Sequence, residues 1–197
     1  GIGGDCFVLY SPAGSDDVLA LNGSGKAPAA ANAERLRSAG LSAIEQGSPD
    51  AVTVPGAMDA FCHLSESVGV LGLDAILQPA IHYAENGVPV APRVSFDWGN
   101  DAAILNARAR ETYLVNGAVP KPGEMFRAPG QADVLRRVAK HGRDAFYTGE
   151  IAEDMVNTLT ALGGVHSLDD FAATACEATT PVSGNYGGVD LVEHPPN

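Results

Sequence analysis

Two stretches near opposite ends of this 197-residue chain read as β-hairpins, and most of what lies between them reads as helix. Cys6 to Tyr10 is a short apolar run, Ser11 to Asp17 is a turn cluster, and Val18 to Leu21 reads as the returning strand. Asn22-Gly23-Ser24-Gly25-Lys26 projects from the end of that hairpin. The second hairpin runs from Pro181 to Tyr186 and from Val189 to Val192, turning at Gly187-Gly188. A two-stranded hairpin is marginal by itself in water. Two such hairpins on a helical chain therefore point to sheet partners elsewhere, and the chain reads as part of a larger fold. The expected class is α+β, a helix-rich lobe with short hairpins at both ends.

Between the hairpins, Ala29 to Ala39 carries good helix formers and stops at Gly40. Val52-Thr53-Val54 leads through Pro55-Gly56 into a helix whose Met58, Phe61, Leu64 and Val68 make one apolar stripe. The next helical pattern holds Leu73, Ile76, Leu77, Ala80, Ile81 and Ala84, with Gly87 placed to end it. Pro79 inside it predicts a kink or a break into two short helices. Ser95 to Ala109 reads as irregular helix, and the proline-rich stretch Asn116 to Pro129 as an extended surface loop. Gln131 to His141 is a charged amphipathic helix with Val134, Leu135 and Val138 inward. After a short turn at Asp144 to Tyr147, Thr148 is the expected N-cap of a helix reaching Leu162. Ser167-Leu168-Asp169-Asp170 then caps a short helix.

Charge excludes one class of partner. With 12 Lys and Arg against 24 Asp and Glu the formal charge is −12, and a nucleic-acid partner needs a basic face to release counterions. Nor does any apolar run approach the length that spans a bilayer, so no membrane partner is expected. The chain opens Gly1-Ile2-Gly3-Gly4, without an initiator Met or a basic-then-apolar leader. Cys6, Cys62 and Cys176 are odd in number and widely spaced, which argues against a disulfide framework and tilts the expected compartment to the cytoplasm. Periplasmic or secreted placement is the alternative. Cys6 lies in an apolar run and Cys62 sits beside Phe61, so both read as small core residues rather than nucleophiles.

The search for chemistry finds no complete constellation. A metal site needs three or four converging ligands, and the five histidines show no His-x-x-x-His or His-Glu-x-x-His spacing. His63 and His82 read as partly buried or surface side chains, and no metal or cofactor is expected. Gly25-Lys26 is followed by Ala27-Pro28 and lacks the upstream glycine of a P-loop. Gly23-Ser24-Gly25 is not a nucleophile elbow, because Asn22 stands where that motif has its first glycine. Asp16-Asp17 and Asp169-Asp170 lie in turn and cap contexts where acids are ordinary.

Taken in order, several segments together resemble the γ-glutamyltranspeptidase family. Gly1-Ile2-Gly3-Gly4-Asp5-Cys6-Phe7 is similar to the family's Ser-Gly-Ile-Gly-Gly-Gly-Gly-Phe, entered one residue late. Leu21-Asn22-Gly23-Ser24-Gly25-Lys26-Ala27-Pro28 aligns with Leu-Asp-Gly-Arg-Glu-Thr-Ala-Pro, and Val54-Pro55-Gly56 with its Val-Pro-Gly turn. Pro79-Ala80-Ile81 through Pro89-Val90, then Phe146-Tyr147-Thr148-Gly149-Glu150-Ile151-Ala152, follow in register. Gly163-Gly164-Val165, Ser183-Gly184-Asn185-Tyr186 and Pro195-Pro196 complete the series. Each is weak by itself; their collinear order over essentially the whole chain carries the resemblance.

The resemblance implies an αββα N-terminal-nucleophile (Ntn) hydrolase, made as a proenzyme that cleaves itself into two subunits. Residues 1–197 would be part of a single such domain within the large (α) subunit. The N-terminal helix, the end of the large subunit and the small (β) subunit would lie outside it. The nucleophile would be the Thr that opens the small subunit, with its own α-amine as base, so no catalytic residue is expected in this chain. Implied partners are that small subunit, a second αβ heterodimer as an alternative assembly, and a small-molecule amide.

One departure from the family pattern bears on substrate. The family's loop Arg grips the α-carboxylate of the glutamyl group, and here Ser24 stands in its place. A hydroxyl cannot supply a guanidinium's charge or its bidentate fork. Lys26 offers a point charge two residues on, and the loop as a whole is more similar to oxamate amidohydrolase-type members. Asn22, Ser24 and Lys26 are therefore the expected substrate-binding residues, and hydrolysis of a small carboxylate-bearing amide is the leading expectation. The alternatives are a γ-glutamyltransferase or glutathione hydrolase, a cephalosporin-acylase-like enzyme, and a non-catalytic binding relative.

Overall fold

The computed structural model describes residues 1–197, and its first strands, β1 (Cys6–Tyr10) and β2 (Leu19–Gly23), are the N-terminal hairpin. A six-residue helix, α1 (Ala33–Ser38), follows, capped by Asn32, whose side chain accepts from the N–H groups of Glu34 and Arg35. It is shorter than the expected Ala29–Ala39 because that cap lies inside the helix-forming stretch. Helix α2 (Ala57–Ser67) comes next. The predicted break at Pro79 gives α3 (Leu73–Ile76) and α4 (Gln78–Asn86), and Gly87 ends the latter. Strand β3 (Val88–Pro89), α5 (Pro92–Asp101), a 3-10 turn at Ala102–Ile104 and α6 (Ala107–Tyr113) form the irregular middle. Then come β4 (Met125–Phe126), α7 (Pro129–His141), α8 (Asp144–Tyr147), α9 (Glu150–Ala161) and α10 (Leu168–Ala172). Strands β5 (Glu177–Thr179), β6 (Val182–Tyr186) and β7 (Val189–Glu193) close the chain.

The elements divide into two compact units, Gly1–Val70 with Arg143–Asn197, and Leu71–Gly142. In the first, β1 pairs antiparallel with β2 from Cys6 opposite Gly23 to Tyr10 opposite Leu19. The other edge of β2 takes β5, with Ala20 opposite Thr179 and Asn22 opposite Glu177. This corrects the reading of an isolated N-terminal hairpin: its third strand is in the chain, 151 residues beyond Lys26 in sequence at Glu177. Strands β6 and β7 do form a separate two-stranded sheet, turning at Gly187 and Gly188, both with positive φ. Helix α2 packs on β2, and Val54, Ala57, Met58, Ala60 and Cys62 are buried there with Phe146, Tyr147 and Phe171. Each large apolar side chain so buried contributes about 2 kcal/mol.

The stripe expected on α2 is rotated. Phe61 is 40% exposed and Val68 42%, whereas Ala57, Ala60 and Cys62 are buried with Met58. Small side chains let the helix approach the sheet, which a spacing argument based on large residues misses. Thr148 does not cap α9 either. Gly149 is the N-cap, and Thr148 instead closes α8, its hydroxyl donating to the carbonyl of Asp144, the first residue of that helix. The cap at Ser167 is found as read, as a reciprocal capping box with Asp170.

In the second unit, Ile81, Val90, Ala132, Leu135 and Val138 are buried, and α4 packs on α7. The Asn116–Pro129 stretch is not wholly loop: Met125 and Phe126 pair with Pro89 and Val88. Trp98 meets the Phe126 ring edge-on, with centroids 4.8 Å apart.

Candidate functional site

The loop after β2 is held by two neighbouring segments. The Gly25 N–H donates to the Asp5 carboxylate at 2.8 Å, and the Val54 N–H donates to the Lys26 carbonyl at 2.9 Å. A Cβ built on Gly25 would lie 1.9 Å from the Val54 carbonyl oxygen, so only glycine allows this approach. The Asn22 carboxamide oxygen accepts from the Ser24 N–H at 2.8 Å, a local turn that aims the Ser24 side chain.

Asn22, Ser24 and Lys26, the three residues singled out from the sequence, line one cavity of about 180 Å³. Gly25, Ala175, Glu177 and Asn197 complete its lining, which contains no arginine. Asn197 accepts from the Asn22 amide at 3.0 Å and donates to the Ser24 hydroxyl oxygen at 2.7 Å. Lys26 pairs with Glu177 at 2.7 Å, with their side chains 74% and 59% exposed. The hydrogen bond and charge of Lys26 hold the Glu177 carboxyl below the usual range. Sequence reasoning missed Glu177 and Asn197. No local motif marks either residue; only the pairing of β2 with β5 brings Glu177 opposite Asn22.

A buried ion pair fixes that pairing from behind. Asp59, on α2, accepts from the Arg143 guanidinium and from the Cys176 N–H at 2.7 Å. Arg143 also donates to the carbonyls of Ala172 and Thr174, and it lies over the Tyr147 ring at 4.8 Å. Tyr147 in turn accepts from the Asp59 N–H at 3.0 Å and donates to the Pro55 carbonyl at 2.7 Å. Burial by itself would raise the Asp59 carboxyl, but the Cys176 N–H and Arg143 outweigh it and hold it below its ordinary value. The same network ties the Val54–Gly56 turn, α2 and the residue preceding Glu177 into one frame.

The remaining candidates carry no chemistry of their own. Burial first, then the Glu66 and Asp59 charges, push the Cys62 thiol up to about 11. Cys176 is pushed up to about 12 by burial and its contact with Asp59, so neither offers a thiolate near neutrality. His63 and His82 are exposed, and His82 bonds only to Asn86 of its own helix. No group of three or more His, Cys, Asp or Glu side chains is placed to hold a metal ion. A groove of about 170 Å³ between the end of α2 and the sheet is mainly apolar, lined by Val8, Leu21 and Leu64 with His63, Ser67 and Thr179 among its polar residues. No helix is long and apolar enough to cross a membrane.

Comparison with known proteins adds the wider setting. The family described as gamma-glutamyltranspeptidase matches residues 1–197. The glutathione hydrolase-like YwrD proenzyme of Bacillus subtilis (strain 168) is 35% identical over 200 residues, covering 100% of this chain and 38% of the relative. The oxamate amidohydrolase proenzyme of Klebsiella pneumoniae is 34% identical over 191 residues, covering 93% of this chain and 36% of the relative. Among solved structures, cephalosporin acylase from Bacillus halodurans matches with a TM-score of 0.92 at 34% identity, covering 100% of this chain and 38% of that one. The chain thus spans 36% to 38% of the length of these relatives.

Proposed function

Because the chain belongs to the γ-glutamyltranspeptidase family, we propose that its parent protein is an Ntn amidohydrolase that hydrolyses a small, carboxylate-bearing amide of the oxamate type. The observation that carries the reading is the cavity beside the loop, which offers Ser24 and Lys26 and no guanidinium. A glutamyl α-carboxylate held by a planar fork loses its main partner in such a lining. A compact carboxylate needs only a point charge and a hydroxyl donor, and a cavity of about 180 Å³ has room for a substrate of few atoms. Similarity to an oxamate amidohydrolase at 34% identity supports the same substrate class.

In this reading the chain supplies recognition, and a small subunit made from the same proenzyme supplies the nucleophile. The Thr hydroxyl adds to the amide carbonyl as its proton passes to the Thr α-amine. Collapse of the tetrahedral intermediate expels ammonia, which takes that proton, and leaves an ester on the Thr oxygen. Water then hydrolyses the ester, releasing the acid and restoring the hydroxyl. Asn22, Ser24 and Lys26 bind and orient the substrate, and the Asp59–Arg143 pair keeps their frame in place.

A second reading, hydrolysis of a γ-glutamyl amide, draws support from the 35% identity to a glutathione hydrolase-like protein. Ser24 weighs against it. The enzyme reading itself is tested by measuring the masses and N-terminal sequences of the purified parent protein. Two chains are expected, the smaller beginning with Thr. A single uncleaved chain without that Thr would instead make the protein a non-catalytic relative.

A further inference from the structure

Building on the carboxylate-amide reading, we propose that Glu177 is a specificity-determining residue of this cavity, a built-in counter-ion that competes with the substrate's carboxylate for Lys26. Lys26 is the one cationic side chain in the lining and Glu177 the one anionic side chain. They stand 2.7 Å apart, so the charge that would attract a carboxylate is already paired.

Two features keep Glu177 there. Its backbone is set directly opposite Asn22 by the β2–β5 ladder, and the preceding Cys176 N–H is tied to the buried Asp59 carboxylate at 2.7 Å. Its side chain, 59% exposed, is nonetheless free to swing. The acceptor stays within reach of Lys26, but it can be displaced.

The other polar groups sharpen the competition. Asn22, Ser24 and Asn197 bond to one another, with the Asn197 amide donating to the Ser24 oxygen. Lys26 therefore carries the main open capacity: an ammonium has three donors, and the structure shows one given to Glu177. An incoming carboxylate must either push Glu177 aside or settle next to a second negative charge. Both penalties fall on anionic ligands, while an uncharged one meets neither. Because the pair is solvent-exposed, the penalty is modest and fades with added salt.

The test uses the mature parent enzyme and follows ammonia release from oxamate and from ethyl oxamate, its carboxylate-free counterpart. Glu177→Gln is expected to lower KM for oxamate about two- to fivefold at low ionic strength, and not to lower it for ethyl oxamate. Glu177→Asp, which restores the charge, is expected to return KM to the wild-type side, and high salt to close the gap between variants. An unchanged or higher KM for oxamate in Glu177→Gln, an equal fall for ethyl oxamate, or loss of turnover in the folded variant would each overturn the proposal. If the wild-type enzyme turns over no carboxylate-bearing amide, the function proposed above fails and this inference fails with it. If it does, and Glu177→Gln behaves as wild type, only the inference fails.

Discussion

Asp59 is an acid buried to 6% exposure, and the folded state needs it ionised. The Cys176 N–H and Arg143 stabilise its carboxylate, so its folded pKa lies below the unfolded value of about 3.9. A group depressed in this way contributes stability that is fully present above the unfolded pKa. That contribution is lost as pH falls through the folded pKa. Asp59→Asn is therefore expected to cost about 3 kcal/mol near neutrality, since it leaves Arg143 without its buried partner. Thermal melts of the parent enzyme between pH 7 and 3 should then show a shallower acid decline in the variant than in the wild type. Parallel declines would remove the ionised carboxylate from the account. At this scale the sequence was informative only over short range. Asn22, Ser24 and Lys26 are near neighbours at the end of β2 and in the loop after it, so a resemblance could mark them together. Asp59 and Arg143 are 84 residues apart and Lys26 and Glu177 are 151 apart, and no periodicity or motif links either pair.

Elements were legible where the backbone signal is local. Pro79 breaks α3 from α4, Gly87 ends α4, and Ser167 with Asp170 caps α10, because each acts through its own φ or its own hydrogen bonds. Reading failed where tertiary packing decides. Strand β5 is only three residues long and exists because β2 offers it an edge, and the buried face of α2 follows its small residues rather than Phe61. The loop that carries the candidate site belongs to this second kind. Its position rests on the contact of Gly25 with the Val54 carbonyl. Gly25→Ala forces that backbone apart, with an expected cost of about 1–3 kcal/mol. A KM for the amide substrate raised at least severalfold should accompany it. A variant with wild-type melting temperature and wild-type KM would show that the loop is not set by this contact.

For the molecule as a whole, the α+β class and the C-terminal hairpin were readable from alternation and turn residues. Family membership was readable from the order of many weak segments. The division into two compact units was not, because the first is discontinuous, built from Gly1–Val70 and Arg143–Asn197 on either side of the second, and no linker-like stretch separates them. Chemistry was the least legible part, since the function proposed above places the nucleophile in a different subunit and leaves recognition to residues 1–197. Substrate class thus turns on one cavity, where a serine and a lysine stand without a guanidinium. The most direct measurement is kcat/KM of the processed parent enzyme for ammonia release from oxamate, set beside its kcat/KM for a γ-glutamyl anilide. The account predicts the larger value for oxamate; an equal or larger value for the glutamyl substrate would contradict it.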